Sequence, residues 1–404
     1  MELFSSVLQL FSAVLVFLVG LMISIKLAKY FELSEQRSIV IYFWHAIFCL
    51  IYANYAIANG GDATQYYLAS LSPNINFYFG TDGVGLLTSL FSVGLGLSFF
   101  GACLIFNIFG FIGLLAFDGC LRFATWNKSR NTRHLANLII FLPSVSFWSS
   151  GIGKDALSFM ATCLALWAVL GLNGRTPLMI FAVMVMLFVR PHIAGMMIIG
   201  FTLAYPFDAR ITMKNRLIFT IIAAIVAASL VPFALEFAGV GEANDVESLN
   251  SYIGTRQGDN MEGGGGVDIA NMSWPMKLVT YMFRPMIFEV NSLFSLAAAI
   301  DNLILLFLFI AGGRMLFRRV RSGLSENRVF MWAYAILAWL VLAMTTANLG
   351  IALRQKWMFA PMLIFLLISL IGHRREINRT LYPSAAVNAT MSNGRTGGRN
   401  LPNL

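Results

Sequence analysis

Residues 1–30 read MELFSSVLQLFSAVLVFLVGLMISIKLAKY, and no charge interrupts positions 7–25. A helix rises about 1.5 Å per residue, so ~20 apolar residues match the ~30 Å hydrocarbon core of a bilayer. The stretch has no basic start and no small-x-small cleavage site, so it is expected to stay as a first span at 7–28 and not to be removed as a signal peptide. Outward from it, comparable runs recur at 39–58, 99–121, 217–235, 292–311, 329–347 and 357–372. Two further stretches, 135–172 and 177–205, are too long for one helix and are interrupted midway by polar residues, which predicts a pair of short helices in each. The expected fold is therefore all-α: a polytopic integral membrane protein of about eleven transmembrane helices, some short or broken. Outer-face loops and amphipathic helices complete it.

Composition agrees. Of 404 residues 58% are apolar and only 12% are charged, against roughly 25% charged in a soluble domain. At ~20 apolar residues per span, that apolar content caps the number of spans at about eleven. The expected organisation is a transmembrane domain over 1–372, containing a large outer loop at about 236–282, and a disordered cytoplasmic tail over 373–404. That loop includes the acidic, Gly-rich run GVGEANDVESLNSYIGTRQGDN, whose low hydrophobicity predicts flexibility. Segment 81–97, with Gly and Ser among its apolar residues, is expected to lie along the outer interface. Cys49, Cys103, Cys120 and Cys163 stand in apolar runs without metal-ligand spacing and read as buried thiols.

Net charge is +9. About three quarters of the 28 Lys and Arg fall on one side if alternating loops are counted from Lys26, Lys29 and Arg37 inward. The other loops on that side hold Arg122, Lys128, Arg130 and Arg133; Arg175; Arg210, Lys214 and Arg216; Arg314 to Arg328; and the tail arginines. Basic loops stay cytoplasmic, which predicts the N-terminus outside and the C-terminus inside. Anionic lipid at that face accounts for the charge, so nucleic acid is not an expected partner.

The remaining cations are the informative ones. Lys154, Arg190, Arg284, Arg354 and Lys356 lie in apolar sequence at the outer ends of spans, within LPSVSFWSSGIGKDALSF, LFVRPHIAG, YMFRPMIFEVNS and ANLGIALRQKWMFAP. A cation at membrane depth costs about 2.5–3.5 kcal/mol on insertion scales, so anions must compensate it. Asp155 beside Lys154, Glu289 five residues after Arg284, and Asp301 supply some of that charge as internal ion pairs. The local acids are fewer than the cations, which favours a multiply charged anion as ligand. A diphosphate suits this set, since arginine grips its oxygens in pairs and lysine acts as a point charge.

Asp62, in IANGGDATQYYLAS, follows a span directly and precedes two tyrosines, of which Tyr66 is placed for sugar contact. Two readings stand side by side: a carboxylate that accepts a proton from an attacking hydroxyl, and a helix N-cap. His192 reads either as a donor to phosphate or as a structural histidine. Asp82, in FGTDGVG, reads first as a turn residue. The GxGKDA of 151–156 lacks the spacing of a phosphate-binding P-loop. Catalytic candidates are therefore Asp62, Arg284 and Arg354. Substrate-binding candidates are Lys154, Asp155, Arg190, His192, Glu289, Lys356 and Tyr66. No metal ligands are expected, and no cofactor is required beyond a Mg²⁺ that a diphosphate would bring with it.

With GDATQYY after an early span, LPSVSFWSSGIGKDAL in mid-chain, FRPMIFE after the large loop and LRQKWMFAP before the last span, the sequence resembles multi-pass proteins of bacterial surface-polysaccharide assembly. These include Wzy-type and EpsG-like polysaccharide polymerases and membrane glycosyltransferases of the GT-C type. The resemblance implies transfer of a sugar or oligosaccharide from a polyprenyl-diphosphate donor at the outer face of the bacterial cytoplasmic membrane, with other polysaccharide-assembly proteins as candidate partners. It also implies that an acidic residue in the first outer loop, here Asp62, is the base, and that outer-face arginines, here Arg190, Arg284 and Arg354, serve the donor. The extra N-terminal span and the lack of a paired acidic motif depart from the GT-C pattern. A flippase for lipid-linked oligosaccharide is the competing expectation, because broken helices also build carrier sites.

Overall fold

The computed structural model describes residues 2–72, 78–204, 272–320 and 327–372, with separate positions at 213, 214, 217, 220, 221, 224, 225, 228, 266, 267, 269 and 322, and of residue 173 the backbone alone. Most of the expected span at 217–235, most of the outer segment 236–271 and the tail 373–404 lie outside the described residues. What is described is helical, with one isolated bridge between Gly266 and Asn348. The helices are α1 (Val7–Tyr30), α2 (Glu35–Asn59), α3 (Asp62–Ser70), α4 (Thr81–Ser92), α5 (Phe99–Thr125), α6 (Arg130–Ile140), α7 (Pro143–Trp148) and α8 (Lys154–Val169). They continue as α9 (Leu172–Val189), α10 (Pro191–Ala204), α11 (Trp274–Phe283), α12 (Leu293–Phe317), α13 (Arg328–Thr345), α14 (Leu349–Gln355) and α15 (Ala360–Ile368).

Among the described residues, α1, α2, α5, α12 and α13 are long and apolar enough to cross a membrane. A sixth span results if α14 with the 3-10 turn Lys356–Met358 and α15, bent by 63°, are taken as one. Both long stretches are broken, as their polar interruptions predict. The first holds three helices and not the expected pair, because Pro143 starts α7 anew after α6 ends at Ile140 and the glycines of SSGIG part α7 from α8. The second divides between α9 and α10 at Arg190, whose backbone is non-helical (φ −148, ψ 77). Pro191 explains that break, since its ring disfavours a helical residue before it and it has no N–H to donate.

The helices run back and forth between two ends. At one end the Phe31 ring meets Trp167 at 5.6 Å, Arg175 lies 3.9 Å above the Trp167 ring, and Asn327 donates to the Val169 carbonyl. Arg328 donates to Ser369 at the same level, and Arg37 holds Asp118 through two bonds of 2.5 and 2.6 Å. At the other end Tyr67 donates to the Leu97 carbonyl, the Gly80 N–H donates to the Phe188 carbonyl, and Tyr55 meets Phe294 at 4.9 Å.

The centre is built by α5, α8 and α15. α15 is buried along its whole length, and α8 is buried from Ala156 to Val169. Small residues allow this approach: a Cβ on Gly113 would stand 2.8 Å from the Met160 backbone, and one on Gly110 1.9 Å from the Ser149 carbonyl oxygen. Close backbone contact of this kind is how helices associate where lipid removes the hydrophobic drive between them. The outside is as apolar as the inside. Phe11, Leu15 and Met22 on α1, Phe43 and Ile47 on α2, and Leu303, Phe307 and Ile310 on α12 are all exposed, a girdle suited to lipid and not to water. All four cysteines are free and buried, as their contexts predict.

Candidate functional site

The end opposite Arg37 and Arg328 carries the polar cluster. Gly60 and Gly61, at φ +73 and +128, turn the chain out of α2 in a conformation that residues with a Cβ avoid. Gly61 occupies the cap position of α3 and Asp62 the first helical position, with no side-chain cap bond. The N-cap reading of Asp62 is thereby corrected. Its Oδ2 instead accepts a 2.7 Å bond from Arg354 Nη1, 292 residues away in sequence. Tyr66 lies one turn further on the same face of α3 and is buried.

Asp155, in the first turn of α8, accepts from Arg190 Nη2 at 2.9 Å, and Arg354 Nε stands 3.9 Å from its other oxygen. Asp155 thus sits between two guanidinium groups, one of which reaches across to Asp62. Lys154 donates to Thr81 Oγ1 at 2.7 Å, which ties α8 to the start of α4. Among the described residues, three cations from three chain segments meet two carboxylates, leaving one positive charge in excess. Side-chain exposure rises outward, from 12% at Arg190 and 15% at Asp155 to 24% at Arg354 and 48% at Asp62. The cluster is closed on the protein side and open on the other.

Burial, and after it the nearby Asp62 carboxylate, push the Tyr66 phenol up to about 12. It therefore keeps its proton at neutral pH and can donate. Two guanidinium nitrogens of the cluster make no hydrogen bond: Arg190 Nε and Arg354 Nε are buried without such a partner, the latter at ion-pair distance from Asp155. Buried donors normally find acceptors.

The expectation that all five outer cations gather is met by Lys154, Arg190 and Arg354 and not by the other two. Arg284, which caps α11, bonds Glu289 through Nε at 2.7 Å and through Nη2 as well. The Arg284 hydrogen bonds hold the Glu289 carboxyl below its ordinary value of 4.5. Lys356 is fully buried and donates to Asn302 Oδ1, while Asn302 donates to the Pro285 carbonyl at 3.1 Å and Asp301 accepts from the Ser144 N–H at 2.6 Å. The reason is angular. Two residues on, a helical side chain has turned roughly 200° about the axis, so Lys356 faces inward where Arg354 faces the cluster. His192 is partly buried in the first turn of α10, and Asp82 lies in the first turn of α4 and not in a loop turn.

Sequence reasoning missed Thr81 and Tyr52. Tyr52 comes within electrostatic reach of Asp155 and Arg354, and the SSGIG segment passes its ring so closely that a Cβ on Gly151 would stand 2.0 Å from it. No local motif marks a tyrosine inside an apolar run as a site residue. Among the described residues, no group of three His, Cys, Asp or Glu is placed to hold a metal. No protein-family model, curated protein or solved structure matches the chain.

Proposed function

We propose that the protein is a membrane-embedded glycosyltransferase or polysaccharide polymerase of surface-polysaccharide assembly. It moves a sugar or oligosaccharide from a polyprenyl-diphosphate donor to an acceptor hydroxyl at the outer face of a bacterial cytoplasmic membrane. The observation that carries this reading is the convergence of Lys154, Arg190 and Arg354 on Asp155 and Asp62, at the end of the bundle away from Arg37, Arg122, Arg175 and Arg328. The positive-inside rule makes the arginine-rich end cytoplasmic and the cluster outward-facing. Eleven spans remain the preferred reading: α10 closes near Phe330, where Phe201 stacks at 4.0 Å, while Val267 bonds Ala347 at the other end. A span at 217–235 would join the two.

In this mechanism the acceptor oxygen bonds to the anomeric carbon as the bond from that carbon to the diphosphate oxygen breaks. The bonding pair leaves with the diphosphate, where Arg190, Arg354 and Lys154 stabilise the developing charge. The acceptor's proton passes to Asp62, which the incoming diphosphate frees by taking over Arg354. Tyr66 stays protonated beside Asp62 and orients the acceptor. No step needs a metal, and any Mg²⁺ would arrive on the phosphate oxygens. Arg284 and Glu289 form a rim pair, and Lys356 holds the bundle together.

The breaks at Arg190 and at the α14–α15 bend favour one rival, a flippase for the same lipid. Purified protein supplied with a polyprenyl-diphosphate sugar separates the two. Release of free polyprenyl diphosphate supports transfer, and movement of intact donor across a vesicle membrane supports the flippase. Cysteine labelling at position 62 from the cytoplasmic side alone would overturn the orientation.

A further inference from the structure

Lys154 is the cation of the cluster without a carboxylate. A lysine carries three donors on a flexible four-carbon stem and turns readily to whatever acceptor is near. Asp155 follows it in the chain, yet among the described residues Lys154 forms no salt bridge. Its ammonium instead donates to the Thr81 hydroxyl at 2.7 Å. Thr81 is the first residue of α4, and its branched Cβ restricts the hydroxyl to few rotamers. α4 is itself fixed at that point. The Gly80 N–H donates to the Phe188 carbonyl at 2.8 Å, two residues before Arg190, and a Cβ on Gly83 would stand 3.0 Å from the Phe188 ring. Thr81, Lys154 and Arg190 are therefore held in one frame by α4, α8 and the end of α9. Thr81 is exposed and Lys154 half-buried, so an incoming anion can reach the ammonium.

We infer that Thr81 is a positioning residue, whose hydroxyl holds the Lys154 ammonium off the Asp155 carboxylate and ready for a diphosphate oxygen. The inference rests on the proposed diphosphate-handling function and deepens it. A hydroxyl suits the task because it accepts from an ammonium without neutralising it. A carboxylate at position 81 would cancel the surplus charge that draws the ligand. An apolar residue there would free the lysine to swing onto Asp155 and compete with Arg190 and Arg354 for it. The effect of the hydroxyl on ligand affinity thus passes through Lys154, and Thr81 need not touch the ligand.

The test measures binding of farnesyl diphosphate and inorganic pyrophosphate to the detergent-purified full chain, as wild type, Thr81→Val, Thr81→Ser, Lys154→Met and the double variant of Thr81→Val with Lys154→Met. Thr81→Val keeps the branched shape and removes the hydroxyl, and is expected to lower affinity for both probes about fivefold. Thr81→Ser stays within about twofold of wild type, and Lys154→Met loses about tenfold or more. In the Lys154→Met background Thr81→Val has no further effect, because the hydroxyl acts through the ammonium. A loss shared by pyrophosphate supports an effect at the phosphates; one confined to farnesyl diphosphate overturns the inference. A bond that only ties α8 to α4 would lower the unfolding midpoint of Thr81→Val and cost the same affinity in both backgrounds. That result, failure of Thr81→Ser to restore binding, or wild-type affinity in Thr81→Val overturns the inference while leaving the glycosyl-transfer reading intact. Absence of saturable binding of either probe to the wild type overturns both.

Discussion

The two partners of the Asp62–Arg354 pair should move ligand affinity in opposite directions. Arg354 Nη1 donates to Asp62 at 2.7 Å, and Asp62 is half exposed, so the resting pair is a partly solvated bridge worth about 0.2–1 kcal/mol. If the diphosphate must displace Asp62, Asp62→Asn removes the competitor and raises affinity by up to about fivefold. Arg354→Gln removes the donors instead. Two charge-assisted bonds at about 1.5–3 kcal/mol each put the loss on the order of 100-fold or more. The assay is equilibrium binding of farnesyl diphosphate in detergent, with thermal unfolding of each variant as a control. A purely structural bridge behaves otherwise: each single variant lowers stability, the double variant recovers part of it, and binding does not separate the two. Equal effects of Asp62→Asn and Arg354→Gln on affinity would refute the exchange.

Glu289 supplies the pH dependence. Its carboxyl is held low by Arg284, so it binds fewer protons folded than unfolded; the stabilisation is present above the ordinary carboxylate range and is lost as pH falls through the folded value. Glu289→Gln should therefore flatten the acid side of a thermal-midpoint profile measured from pH 7 to pH 3 and leave the neutral region lower than wild type. Lys356→Met strips a fully buried partner from Asn302 and leaves Asp301 without a nearby cation. The expected loss is about 3–5 kcal/mol of stability, read as a lower unfolding midpoint, with farnesyl diphosphate affinity of the surviving folded fraction unchanged. Gly113→Val drives side-chain carbon into the Met160 backbone, 2.8 Å from the first Cβ. Overpacking of about 1–3 kcal/mol should lower the midpoint, whereas Gly313→Val, where the space is open, should not.

The sequence carried the membrane helices well because each is a local property: α1, α2, α5, α12 and α13 begin and end within a few residues of their apolar runs. The break at Arg190 was legible because Pro191 acts on its immediate neighbour. The site was legible where a charge stood in apolar sequence, since the insertion cost forces a partner to exist. Which partner was not legible. Pairing Asp62 with Arg354 depends on how α3 and α14 are brought together, and nothing local encodes it. Lys356 shows the same limit from the other side: a cation two residues from Arg354 has the same depth and the opposite direction. Tyr52 was invisible, because an aromatic residue in an apolar run looks the same whether it packs or faces a ligand.

Ion pairs within the cluster do not make it a structural staple, and the opposite end of the same bundle supplies the comparison. There Arg37 gives Nε and Nη2 to both oxygens of Asp118, which is 2% exposed. Arg122 adds a further contact at 3.5 Å. That geometry leaves the carboxylate fully engaged, as expected of a pair whose task is to close a helix junction. Around Asp155 the same residue types are arranged differently. Arg190 and Arg354 each spend a single terminal nitrogen in a hydrogen bond and none from Nε, although Arg354 Nε stands 3.9 Å from Asp155, and a third cation, Lys154, donates to the Thr81 hydroxyl. An arrangement selected for stability alone would have taken the bidentate option, since unmade bonds of buried donors cost free energy. Unspent donors, one surplus positive charge among the described residues and an outward gradient of exposure together support the proposal that this site takes its acceptors from a ligand.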